Sequence, residues 1–268
     1  MSAIDIKEPT GEQVEKHRHL NKVTLKANLN FNVNSFKHWM KQKLTDDNKF
    51  FEHENDKHEK IMCLPKFSGS HIALTAMNEK LCYLILDKVT GRLTKDKTGL
   101  YNIKFTDLSD VIKVEPELRK NLYNYLDVYD STLNYKDQYC IDEKTIKKYI
   151  DVTFGTSINI SNEAFNLLVY ILLKVCVRVL DSAFIMIQFA KKKSLSPKVI
   201  LSCVSVHFSG TLEHFIKMRI DDAIKACGKE LEDKEEIETK KEVEPIKEVE
   251  EETKIKPTKE DKTKKQKK

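Results

Sequence analysis

From Ala164 to Ala190 the chain reads AFNLLVYILLKVCVRVLDSAFIMIQFA. Phe165, Leu168, Leu172, Val175, Cys176, Val179, Ala183, Met186 and Ile187 recur at three- and four-residue steps, which predicts one long amphipathic helix. Its ~27 residues would span ~40 Å. The stretch is long enough for a bilayer, but Lys174, Arg178 and Asp181 near its middle would be costly in lipid, so a buried soluble helix with one wet stripe is expected. Ser161 or Asn162 supplies its N-cap. The apolar stripe is wide and the neighbouring helical patterns are short. A helix of this kind needs cover from elsewhere in the chain.

A second long helix answers that need. Ile72, Leu74, Met77, Leu81, Leu84, Ile85 and Val89 keep the helical period, with Ser70 as the expected N-cap and Gly91 near the end. Before it, Phe31–Leu44 reads as a short helix built on Val33, Phe36, Trp39, Met40 and Leu44. After it come a lysine-bearing loop over 95–99, an extended piece at Tyr101–Lys104, a short helix capped by Thr106, and a helical run that begins at Pro116. A tyrosine-rich connector, Tyr123–Cys140, leads to the second half. There the order repeats: a short helix over Asp142–Val152, a loop, the long helix, the basic loop Lys191–Lys193, and a short helix over Pro197–Phe208. Ser196-Pro197 is a specific start signal for that last helix. A final helix, Leu212–Cys227, follows. The shared order marks a diverged internal duplication.

Composition supports an all-helical reading. Gly 7 and Pro 6 in 268 residues are few for a fold rich in tight turns. The six Cys are scattered without a Cys-x-x-Cys pair, which fits reduced thiols in a cytosolic or nuclear setting. The first thirty residues are polar and lack an apolar signal region, so no signal peptide is expected. Residues 1–29 are expected to form a flexible arm, whose His17 and His19 are not expected to be ligands. His53, His58 and Cys63, at five-residue steps, lack the tight pair of a zinc site, so no metal is expected. Residues 229–268 hold 13 Lys against 14 acids, which leaves a net +6 on 1–228 from the total of +5. Within that tail, 230–252 carries a net −8 and 253–268 a net +6, a pattern of disordered charged segments.

The residues resemble the core histones. SINISNEAFNLLVYILLKVCVRVLDSAF followed by AKKKSLSPKVILSCVSVHFSGTLEHFIKMRIDDAIKA is similar to histone 2B. The likeness includes the Ile-Ser before the long helix, Arg178 in mid-helix, the lysine loop, and a Gly-x-Leu opening (Gly210, Leu212) of a C-terminal helix. FNVNSFKHWMKQKL and YNIKFTDLSDVIKVEPELRKNL are similar to histone 2A. Thr45–Gly69 is longer than that family's first loop, and the connector lacks its Gly-Gly-x-Leu-Pro docking segment. Two such units in one chain resemble the histone doublets of large DNA viruses. Arg is only five of the 47 basic residues, as an A+T-rich genome would produce.

The resemblance implies an all-α chain of two histone folds, 30–138 (with an insertion at 45–69) and 139–228, paired as an intramolecular handshake dimer with disordered tails. Linking the folds makes pairing intramolecular, at an effective concentration on the order of mM. It implies a structural, non-enzymatic DNA-packaging protein that binds the backbone of double-stranded DNA without reading bases. Lys37, Lys41, Lys43 and Lys104 of the first half, and Lys191, Lys192, Lys193, Ser194 and Lys198 of the second, are the expected DNA contacts; Lys95 and Lys97 are secondary. By matched position Asn102 and Lys192 stand where the family has arginines. Glu79, Asp87, Glu115 and Glu117 would retain part of the family's acidic surface patch. The implied partners are a histone 3–4-like doublet or pair and further copies on DNA, forming nucleosome-like particles, with no membrane and no cofactor. The implied setting is virion, host nucleus or viral factory if viral, and nuclear chromatin if cellular. The alternative is a histone-fold transcription-factor or chromatin-interaction module, favoured by the modest +6 and the missing arginines. No phosphate-binding loop, metal cluster or nucleophile motif points to an enzyme.

Overall fold

A computed structural model describes residues 22–228 except 55–57, 59, 96, 98 and 155–157. The described residues are mostly helical. In chain order the elements are α1 (Lys22–Lys26), α2 (Val33–Asp46), β1 (Phe51–Glu54), β2 (Lys60–Cys63), β3 (Lys66–Phe67), α3 (Ser70–Thr90), β4 (Tyr101–Ile103), α4 (Phe105–Val114) and α5 (Pro116–Asp127). A single 3₁₀ turn (Lys136–Gln138) precedes α6 (Glu143–Phe154), β5 (Ile158–Ile160), α7 (Asn162–Phe189), β6 (Ser194–Leu195), α8 (Pro197–His207) and α9 (Gly210–Cys227). No helix among the described residues is long and apolar enough to cross a membrane.

The expected helices form where the periodicity places them, but several ends differ. Ser161 caps α7, its Oγ accepting the Ala164 N–H at 3.2 Å. Pro116 and Pro197 open α5 and α8, where a missing N–H costs nothing. Ser70 is not the cap of α3. That place is taken by Gly69 at φ 74, a left-handed conformation that suits glycine, and Ser70 Oγ is buried without a hydrogen-bond partner. Nor does Thr106 cap α4: the cap is Lys104, whose backbone N–H donates to Asp107 Oδ2 at 2.8 Å.

Each long helix is covered by helices from the other half of the chain. α3 packs against α7, α8 and α9, while α7 packs against α4 and α5. Leu74, Met77, Leu81, Ile85, Leu172, Cys176, Val179 and Leu180 are wholly buried in one continuous core. Burying each such side chain contributes about 1.5–3 kcal/mol, and both halves supply the cover. Inside the core Asn78 donates to the Leu172 carbonyl at 3.2 Å and accepts from the Tyr139 hydroxyl. That arrangement ties α3, α7 and the connector together. The connector is laced over α7: Asn166 Oδ1 accepts the Tyr135 N–H at 2.9 Å, its Nδ2 donates to the Leu133 carbonyl at 2.8 Å, and Tyr129, Tyr135 and Tyr170 pack ring against ring.

Two segments depart from expectation. Part of the arm expected to be flexible is ordered: α1 packs on α9, and the Val33 N–H donates to the buried Thr24 Oγ1 at 3.0 Å. Residues 1–21, with His17 and His19, lie outside the described residues, as does the charged tail 229–268. The long first loop contains an antiparallel hairpin, β1 with β2, which pairs Phe51 with Cys63 and Glu54 with Lys60. It is seated on α7 by the Phe51–Phe184 ring contact at 5.1 Å and the Lys49–Asp181 ion pair.

Candidate nucleic-acid interface

Two short parallel ladders join the halves. β3 pairs with β6, setting Lys66 opposite Ser194 and Phe67 opposite Leu195. β4 pairs with β5, setting Asn102 opposite Asn159 and Ile103 opposite Ile160. Each ladder therefore joins the loop before one long helix to the loop after the other. Since α3 runs from β3 toward β4, the ladders stand about 30 Å apart along its 21 residues.

The β3–β6 end is built from the stop of α7. Its last turn closes by the Lys191 N–H to Gln188 and the Lys192 N–H to Ile187 carbonyls at 3.0 and 2.8 Å. Lys191 takes φ 52, a place where helices favour glycine; holding a lysine there costs about 1 kcal/mol and keeps a cation in the turn. The chain then enters the ladder. The Lys193 carbonyl accepts the Lys66 N–H at 2.9 Å, the Leu195 carbonyl accepts the Ser68 N–H at 2.8 Å, and buried Leu195 anchors the strand. Lys66, Lys191, Lys192, Lys193 and Lys198 are all exposed. Lys37, half-buried on α2, faces the start of α3: burial first, and then the Lys37 charge, hold His71 down at about 4. Lys41, one turn on, is exposed. The first turns of α3 and α8, which open at this end, contain no acid, so their N-terminal partial positive charge adds to that of the lysines.

The β4–β5 end is different. Asn159 Nδ2 donates to Asn102 Oδ1 at 3.0 Å, and both side chains are exposed. Lys104 is exposed beside them, and Lys95 lies over the Tyr101 ring at 5.4 Å. The helices that open here, α4 and α7, carry Asp107 and Glu163 in their first turns.

The structure thus gathers Lys37, Lys191, Lys192, Lys193, Ser194 and Lys198 at one end and puts Lys104 at the other. Lys43 belongs to neither cluster. It is tied to Asp47 at 2.6 Å, and Asp47 also accepts from Lys49 at 3.0 Å. Burial alone would raise the Asp47 carboxyl, but the two lysines outweigh it and hold the group below its usual range. Lys66 also belongs to the β3–β6 end, although the sequence alone does not mark it. Its two-residue strand has no local signature, and only its pairing with β6 brings it to the site.

The four acids expected to form a surface patch are mostly buried or paired. Only Asp87 is exposed. Glu79 is 3% exposed: its Oε2 accepts the Asn30 and Phe31 N–H groups at 2.6 and 3.1 Å, and its Oε1 accepts from Arg219 at 2.9 Å. Glu115 is paired with Arg92 at 2.8 Å. Glu117 is half-buried against Gly210, its Oε2 without a hydrogen-bond partner. Near Arg219 lies half-buried Lys80, 4.7 Å from the Tyr83 ring and 5.5 Å from that of Phe215. Burial, and then nearby Arg219, push the Lys80 ammonium below its ordinary value.

No cluster of three or more His, Cys, Asp or Glu among the described residues could hold a metal ion. The His53 side chain lies outside the described residues. Burial pushes the thiols of Cys82, Cys140 and Cys176 well up, so none is set to act as a nucleophile. Compared with known protein families and with characterised proteins, the sequence matches none.

Proposed function

We propose that the chain is a structural DNA-packaging protein, a 2A–2B-like histone doublet that binds the DNA backbone without base reading and assembles with a 3–4-like histone partner. The observation that carries this reading is the reciprocal joining of loops. Each half lends one loop to each ladder, and at one of the two ladders the joined loops expose a group of lysines. Two contact points about 30 Å apart correspond to roughly nine base pairs of duplex at 3.4 Å each. Ammonium groups and helix N-termini of this kind position phosphates and carry no sequence information.

The need for a partner rests on surface left uncovered. Ile185 and Phe189 at the end of α7, and Val206 on α8, are 50%, 86% and 64% exposed. Exposed apolar side chains of this kind are available to a partner. The histone-fold interaction module is the competing outcome of one experiment. The chain is mixed with long DNA and a 3–4-type histone pair, then digested with a nuclease. A ladder of protected lengths supports packaging, whereas no protection, or protection confined to particular sequences, refutes it in favour of the interaction module.

A further inference from the structure

We propose that the two ends of the DNA-binding rim are unequal, so that a bound duplex is anchored at the β3–β6 end and leaves first from the β4–β5 end. This inference rests on the DNA-binding reading and goes beyond it by giving the contact a direction. It is carried by the difference in charge between two sites that are otherwise built alike. Segments 64–71 and 190–199, which form the β3–β6 end, hold Lys66, Lys191, Lys192, Lys193 and Lys198 and no acid. Segments 100–107 and 158–165, which form the β4–β5 end, hold Lys104 against Asp107 and Glu163. The first is five positive charges; the second, once Lys95 over the Tyr101 ring is counted, is neutral in net.

The helix ends sharpen the contrast. Two helices begin at each ladder, α3 and α8 at β3–β6 and α4 and α7 at β4–β5. At β3–β6 neither has an acid in its first turn, while at β4–β5 each has one. An acid at that place satisfies the helix's own N-terminal charge and removes its attraction for phosphate. Asp107 does so directly, accepting the Lys104 N–H at 2.8 Å. What faces a duplex there is the Asn102–Asn159 amide pair, which can form hydrogen bonds but releases no counterions, with only Lys104 and Lys95 beside it. Binding that depends on counterion release loses about 0.9 of a log unit in affinity per phosphate neutralised for each tenfold rise in salt. The lysine end therefore supplies most of the salt-sensitive affinity, and the amide end contributes a smaller share.

The test compares three variants of the full chain in salt titrations on a short mixed-sequence duplex, with far-UV circular dichroism to establish that each is folded. The first replaces the five lysines (K66Q/K191Q/K192Q/K193Q/K198Q), all exposed. Its log–log salt slope is expected to fall by about four units, with at least a hundredfold weaker binding at low salt. Lys104→Gln alone is expected to change the slope by less than about half a unit. The third variant adds charge at the amide pair, N102K/N159K, and is expected to steepen the slope by up to about two units and tighten binding roughly tenfold. A Lys104→Gln loss as large as the average per-lysine loss in the first variant, or no gain from N102K/N159K, overturns the inequality of the ends. Wild-type binding that is absent, or that survives unchanged in the five-lysine variant, overturns the DNA-binding reading of this rim itself.

Discussion

Arg219→Met isolates the buried ion pair that joins the N-terminal segment to the last helix. Glu79 lies on α3 and Arg219 on α9, and between them they also hold residues 28–31: Glu79 takes the Asn30 and Phe31 amides, and Arg219 donates to the Asn28 carbonyl. Removing one partner of a buried pair costs about 3–5 kcal/mol, because the other charge is left without compensation. Here the low end applies. The two amides stay on Glu79 Oε2, and the Arg219 side chain is 22% exposed, so part of its charge is already screened. We expect a loss of about 3 kcal/mol, which for a urea slope of roughly 2–3 kcal/mol/M lowers the midpoint by about 1 M. Glu79→Gln on its own sets an amide N–H against the guanidinium and costs about 1–2 kcal/mol. In the double variant neither an unpaired carboxylate nor opposed donors remain, while a Gln carbonyl still accepts both backbone amides, so it is expected to recover about half or more of the Arg219→Met loss. Urea unfolding followed by far-UV circular dichroism reads all three. A midpoint shift for Arg219→Met below about 0.3 M, or a double variant no more stable than Arg219→Met, refutes the assignment of this pair as the clasp.

Two further outcomes follow from the packing. His71 is held at about 4 in the fold against 6.5 unfolded, so the unfolded chain takes up the proton first as the solution is acidified. Stability is present above the unfolded value and is lost as pH falls, by about 2 kcal/mol near pH ~5, and His71→Leu should flatten that part of the stability–pH curve; a parallel curve for the variant would show that His71 does not titrate in this window. Gly210 has φ 72, and a Cβ there would lie 2.6 Å from Glu117 Oε2. Gly210→Ala should therefore cost about 1–3 kcal/mol, and Glu117→Ala in the same chain should remove the part due to the collision, leaving about 1 kcal/mol of backbone strain; a calorimetric Tm unchanged by Gly210→Ala would contradict the close approach.

The helices were legible in the sequence because their apolar residues keep one period over many turns. α7 and α3 could be drawn from Phe165–Ile187 and Ile72–Val89 with little else. Their ends were less legible. Ser70 is a good capping type, but the backbone at Gly69 turns left-handed and buries the serine, and nothing local announces this. The hairpin at 51–63 was hidden because its order comes from seating Phe51 on Phe184, more than a hundred residues away. Glu79 was placed on the surface for the same kind of reason: its partners lie 48 to 140 residues distant, and a lone acid on a long helix carries no sign of them. At the candidate site the sequence exposed the lysine run 191–193, whereas Lys66 entered only through its ladder partner. What periodicity cannot show is which loops meet, and at this interface the meeting of loops decides where the charge goes.

The division of the core explains why these units share one chain. Each long helix exposes more apolar circumference than its own short neighbours cover, and the shortfall is met by the other half: α8 and α9 on α3, and α4 and α5 on α7. Such cover is lost together when the halves separate, so a large part of the core depends on an association that a free pair would have to re-form at cellular concentration. The connector converts that association into a loop closure, whose cost grows only slowly with length. It also takes part in the packing, since Tyr135 and Tyr139 are buried and reach Asn166 and Asn78 across the interface. With the halves locked this way, the two ladders are held at a fixed spacing. On the proposed DNA-binding reading, a lysine-bearing rim then keeps its geometry before any duplex arrives, and binding need not pay the ordering entropy that a flexible basic segment would.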